Sequence, residues 1–177
     1  MRTGWVVLAA FVACGIGGSP VGAASPKGLG PLGFLLGDWQ ADGGGKPGEA
    51  SGGFTFAPSL QERVILRTNY AQYPAASGKP ASRHGDLMVL YATELGELRA
   101  DYYDSEGQVI RYVGSMPKAG ELILASEISS GAPRFRLTYK LGADGVLDGQ
   151  FEVAPPGKPD SFSPYLAWTS RRKATGK

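Results

Sequence analysis

The sequence predicts an all-β protein, an antiparallel up-and-down β-barrel of about ten strands. Three observations carry that expectation. Beyond Gly37 the chain falls into short stretches with apolar, often aromatic or β-branched residues at every second position, the pattern of a half-buried strand. Gly, Pro and Asp separate these stretches at short spacing, so each strand is expected to pair with the next. No interior segment carries a long helical periodicity. Rolling such a meander into a cylinder removes its two exposed edges. Ten strands exceed the roughly eight at which side chains fill a barrel, so an interior cavity is expected.

Along the chain, residues 1–24 read as a signal peptide. Arg2 is basic, Trp5 to Ala13 is apolar, and Val21-Gly22-Ala23-Ala24 supplies small residues for cleavage near Ala23 or Ala24. The apolar run is shorter than the roughly 20 residues that cross a bilayer, so no membrane span is expected. A second reading takes Phe11-Val12-Ala13-Cys14 as a loose lipobox with a lipid anchor at Cys14. Either reading makes the protein periplasmic or secreted.

Residues 25–33 are expected to form a flexible lead-in, Phe34-Leu35-Leu36 a single helical turn, 34–172 the barrel and 173–177 a flexible tail. Strands are placed near 38–43, 51–57, 61–73, 84–93, 98–103, 108–114, 121–129, 134–141, 146–153 and 161–171. The clearest is 134–141, where Phe135, Leu137, Tyr139 and Leu141 alternate with Arg134, Arg136, Thr138 and Lys140. Gly142-Ala143-Asp144-Gly145 then makes a hairpin turn into a strand carrying Leu147, Phe151 and Val153.

At 177 residues, 42% hydrophobic and 19% charged, the chain is one domain with a core of its own. Eighteen basic residues face 16 acidic ones, a net charge of +2, too weak a field to argue for nucleic acid. One Cys forms no internal disulfide, and one His with one Cys supplies no zinc ligand set, so neither metal nor cofactor is expected.

Gly37-Asp38-Trp39 opens the first strand and Arg171-Arg172 closes the last, an arrangement that resembles the calycin barrels. In lipocalins a Gly-x-Trp at the first strand packs its indole across the barrel base, under an Arg from the last strand. The resemblance therefore implies that Gly37, Trp39 and Arg171 close this barrel. Phe34-Leu35-Leu36-Gly37-Asp38-Trp39, the hairpin from Leu98 to Gly107 and Ala154-Pro155-Pro156-Gly157 further resemble bacterial lipocalin-like domains related to nitrobindin and the fatty-acid-binding barrels, over residues 34–172. Nitrobindins hold haem through a His near the C-terminal strand. The only His here is His84, so haem is not carried over.

His84 opens a strand with Asp86 on the same side, where the carboxylate can orient the imidazole; the plain alternative is a surface His at a hairpin end. Ser82 and Ser126 lack a Gly-x-Ser-x-Gly elbow, and the carboxylates at 101, 104 and 106 are explained as turn and rim residues. The Gly-Lys-Pro repeats at 45–47, 78–80 and 157–159 are turns, because proline stands where a phosphate loop needs Ser or Thr. Arg67, Arg99 and Arg136 are candidates to grip a polar ligand end, against a solvated outer face. Tyr102, Tyr139, Tyr165 and Trp168 are candidates to line a pocket, against ordinary cross-strand packing. The face of each strand that points inward stays open at this point.

The leading expectation is an exported, non-enzymatic protein that holds a small apolar or amphipathic molecule in its lumen. The alternatives are a small-molecule enzyme using His84 in the cavity and a ligand-free structural module of the envelope.

Overall fold

The computed structural model of the chain describes residues 29–42, 51–75, 78 and 80–173. The stretch read as a signal peptide, its expected cleavage site, Cys14 and residues 174–177 of the expected tail lie outside the described residues. A short 3₁₀ helix, Gly30–Leu35, precedes ten strands: β1 (Gly37–Asp42), β2 (Ser51–Ser59), β3 (Val64–Tyr73), β4 (Ser82–Ala92), β5 (Leu98–Asp104), β6 (Val109–Ser115), β7 (Glu121–Ser126), β8 (Arg134–Leu141), β9 (Leu147–Ala154) and β10 (Ser163–Arg172). Each strand pairs antiparallel with its chain neighbours, and β1 pairs with β10 through Trp39 opposite Arg172, so the sheet is a closed barrel. The all-β antiparallel fold read from the periodicity is the one found.

The 3₁₀ helix begins inside the stretch read as a lead-in, with Pro31 in its first turn. Three residues per turn bring Leu29, Leu32 and Leu35 onto one side, and that side is buried, at 5%, 0% and 0% exposure. It plugs one end of the barrel. Trp39 is fully buried there and its indole N–H donates to Leu35 O at 2.7 Å.

The guanidinium over this indole belongs to Arg172, not Arg171, a correction to the expected closure. Its Cζ lies 4.4 Å from the ring centroid, and its two terminal nitrogens donate to Leu36 O and, at 2.9 Å, to Phe34 O. Arg171 pairs with Gln40 and so lies on the opposite face of the strand. Gly37 is needed beside Arg172: its φ is +117°, and a Cβ would stand 2.7 Å from Arg172 Nη1.

Two boundaries move for local reasons. Leu60, Gln61 and Glu62 take φ values of 51°, 52° and 63°, a left-handed turn that delays β3 to Val64. A register shift between Pro164 and Leu166 bends β10 near its start.

Register identifies the inner face. Trp39, Phe54, Phe56, Met88, Leu90, Ala100, Tyr112, Leu122, Leu124, Leu137, Tyr139 and Leu147 point inward and form the core. Rings interlock at its centre, with Tyr139 meeting Phe56 edge-on at 5.4 Å, Phe54 at 6.0 Å and Trp168 at 6.1 Å. The helix-proximal half of the lumen is therefore packed. Among the described residues no helix is long and apolar enough to cross a membrane.

Candidate functional site

Toward the far end of the barrel the inner face turns polar on three successive strands. Arg67 and Asn69 on β3, His84 and Asp86 on β4, and Tyr102 and Asp104 on β5 are each two residues apart, so each doublet faces the lumen. Asn69 stands opposite Asp86, and Asp86 opposite Asp104, which brings the three doublets side by side.

Asp86 is the hub. Its Oδ1 accepts from Arg67 Nη1 at 2.5 Å and its Oδ2 from Asn69 Nδ2 at 2.7 Å, while His84 Nε2 lies 3.2 Å from the same oxygen. The other ring nitrogen of His84 is 2.8 Å from Glu106 Oε2 on the β5–β6 turn. The Tyr102 hydroxyl is 3.4 Å from both His84 Nε2 and Asp104 Oδ2. Asp104 Oδ1 accepts the backbone N–H of Gln108 at 2.8 Å and of Glu106 at 3.1 Å, so the turn residue also anchors the site.

The Arg67 and Asp86 side chains are 6% and 3% exposed, a buried ion pair. Burial by itself lowers the arginine's pKa, but electrostatic interaction with the phenol oxygen of Tyr139 and the carboxylate of Asp86 outweighs it and holds the guanidinium above its ordinary value. Burial is also the main force raising the phenols of Tyr102 and Tyr112, with Asp86 adding to it in both. It pushes Tyr139 up to about 12, against the opposing charge of Arg67. Three phenols thus stay protonated around one charged pair. The Arg67 guanidinium also lies 5.4 Å from the Phe54 ring and 5.9 Å from that of Tyr139.

β9 lies five strands away from β4 around the ring of ten, and so forms the facing wall. That wall is apolar. Phe135 and Phe151 stack at 5.6 Å, Tyr165 meets Phe151 edge-on at 6.1 Å, and Leu166, opposite Phe151, is 52% exposed. Trp168 continues it inward, lying over Gly149 so closely that a Cβ there would overlap the indole.

Of the candidate ligand residues, Arg67, His84, Tyr102 and Tyr139 come together, with Trp168 packed on Tyr139. Arg99 and Arg136 do not join them. Arg99 alternates with the inward Ala100 and sits outside, bound to Glu127 at 2.8 Å and Glu97 at 3.1 Å. Arg136 alternates with Leu137 and grips Glu152 from the outer face at 2.6 and 2.8 Å. Tyr165 is 77% exposed and reaches the site only as a rim residue. Ser126 is engaged, its Oγ accepting the Phe135 N–H at 2.9 Å.

Asn69 was not foreseen. The signal for it lay in the sequence: Arg67-x-Asn69, His84-x-Asp86 and Tyr102-x-Asp104 place polar groups two apart at the same ends of three neighbouring strands. Two depressions lie elsewhere, one of about 630 Å³ over Thr138, Lys140, Asp148 and Gln150 on the outer sheet face, and one of about 190 Å³ between the loops preceding β8 and β10. Among the described residues no group of three His, Cys, Asp or Glu is arranged to hold a metal ion. No known family model matches the sequence, and no curated protein matches it either. The closed ten-stranded antiparallel barrel is compatible with a calycin-like fold.

Proposed function

We propose that this protein is an exported, lipocalin-like binding protein, and that a small amphipathic molecule occupies the far half of its lumen with its polar end on the Arg67, Asn69, His84 and Asp86 wall and its apolar body against Phe135, Phe151 and Trp168. One observation carries the reading. A buried Arg–Asp pair is a poor way to stabilise a barrel, because taking both charges out of water costs about as much as their attraction returns. The pair lines the inner wall beside a His and three phenols, where perturbed titratable groups are a mark of a functional site. The facing aromatic wall suits an apolar body. His84 Nε2 is already engaged with Asp86, which favours holding a ligand over proton transfer to one.

Native mass spectrometry of the full chain purified from its own envelope fraction is the direct test. A retained small molecule, released on denaturation, is the expected result. A ligand-free mass, with no change in the unfolding midpoint on adding amphiphiles, would overturn the reading. That outcome would favour the ligand-free module instead, for which the outward row of Leu87, Tyr103 and Val109, 37%, 43% and 59% exposed, speaks as a contact face.

A further inference from the structure

The polar wall does more than mark a site, because its hydrogen bonds can be counted. Asp86 accepts from Arg67 and Asn69 and faces His84, Asp104 accepts from two backbone N–H groups, and Glu106 is met by His84. The carboxylates are thus served. Two donors are not: Arg67 Nε–H and the Tyr139 hydroxyl are buried with no hydrogen-bond partner. Their residues are 5% and 0% exposed, and the guanidinium lies 5.9 Å from the Tyr139 ring, so both orphans belong to one spot at the inner limit of the polar wall. Arg67 opposes the rise of the Tyr139 pKa by its charge and by an N–H directed at the phenol oxygen, an approach short of normal hydrogen-bond geometry that leaves the Tyr139 O–H itself without an acceptor. Buried donors are normally paired, and each one left over costs free energy.

We infer that this spot takes the acceptor oxygen of a neutral carbonyl group, a ketone, ester or amide, at the head of an otherwise apolar ligand. The inference rests on the binding function proposed above and gives the ligand's polar end its chemistry. An ammonium head brings only donors to a place already short of acceptors. A carboxylate brings acceptors but also a full negative charge. The wall holds Asp86, Asp104 and Glu106 against Arg67, and stays net negative whether or not His84 is protonated. A neutral carbonyl oxygen carries two lone pairs, one for each orphan donor, and brings no charge. It displaces no hydrogen bond of normal geometry, since neither donor makes one. A ligand would reach this spot from the far end, toward which β4 runs from Met88, opposite Arg67, through Asp86 and His84 to its start at Ser82, because the other end is stopped by Leu32, Leu35 and Trp39.

The experiment is a calorimetric titration of the full chain with three probes of one alkyl length, a methyl ketone, a carboxylate and a primary amine, on the protein and on Tyr139→Phe. The substitution keeps the ring and its packing and removes only the hydroxyl; near-UV circular dichroism checks that the barrel is unchanged. The expected result is tightest binding of the ketone, weakened roughly three- to tenfold by Tyr139→Phe, the value of one hydrogen bond, with little change for the amine. A preference for carboxylate or amine, or a ketone affinity indifferent to Tyr139→Phe, overturns the inference and leaves the binding function standing. Failure of all three probes to bind overturns both.

Discussion

If the Arg67–Asp86 pair serves a ligand rather than the fold, its removal as a pair and its removal by halves must differ. Arg67→Met leaves a carboxylate 3% exposed without its guanidinium, and Asp86→Leu leaves a guanidinium 6% exposed without its carboxylate. Each single change strands a buried charge, with a cost of about 3–5 kcal/mol. In a domain of this size that lowers the melting temperature on the order of 10 °C. The double variant strands neither charge. Its remaining losses are the partners of Asn69 Nδ2 and His84 Nε2, about 1 kcal/mol each, partly offset by the apolar contacts that the two introduced side chains would make with the neighbouring rings. The double variant is therefore expected within about 1–2 kcal/mol of the parent, while binding no ligand. Urea unfolding followed by circular dichroism measures all four proteins in one cycle. A double variant as unstable as the worse single one would show that the pair supports the barrel, and the argument from its cost would fall.

Three further outcomes are expected. Arg172→Ala removes the cation over Trp39 and two bonds to carbonyls, and is expected to destabilise by about 1–2 kcal/mol and shift the Trp39 emission, whereas Arg171→Ala leaves that emission unchanged. Gly149→Ala places a methyl group inside the space of the Trp168 indole; a loss of about 1–3 kcal/mol is expected in chemical denaturation, with a changed Trp168 environment in near-UV dichroism. The third concerns alkaline pH. Folding keeps the Tyr139 phenol protonated up to about 12 against an ordinary value of 10.0, so above pH 10.0 the folded state holds a proton that the unfolded chain has lost. Stability is full below that pH and falls as pH rises toward 12, and Tyr139→Phe reduces the slope, as denaturation midpoints across this range will measure.

Much of the candidate site's geometry was readable residue by residue. His84 with Asp86 follows from their spacing of two on one strand, and Arg67, Tyr102, Tyr139 and Trp168 came together in the lumen. Arg99 and Arg136 were misplaced because a charged residue on an alternating strand has two faces to choose from, and each neighbours an inward apolar residue, Ala100 and Leu137, that takes the inner one. The closing arginine was misassigned by one position. Counting in twos from the inward Trp168 leads through the buried Ser170 to Arg172, and a one-residue error reverses the face.

Strands, turns and the order of pairing were properties of the sequence alone, because a period of two and a Gly at a turn act over a few neighbouring residues. The near-parity of charge and the lack of a disulfide framework were equally plain there. Only the tertiary structure decided that three polar doublets meet on one wall and an aromatic cluster on the wall facing it, since that depends on ten registers added around a closed ring. It alone also left the Arg67 Nε–H and the Tyr139 hydroxyl, two of four such buried groups among the described residues, without a partner, for a hydrogen bond is made or missed by where residues distant in sequence come to rest.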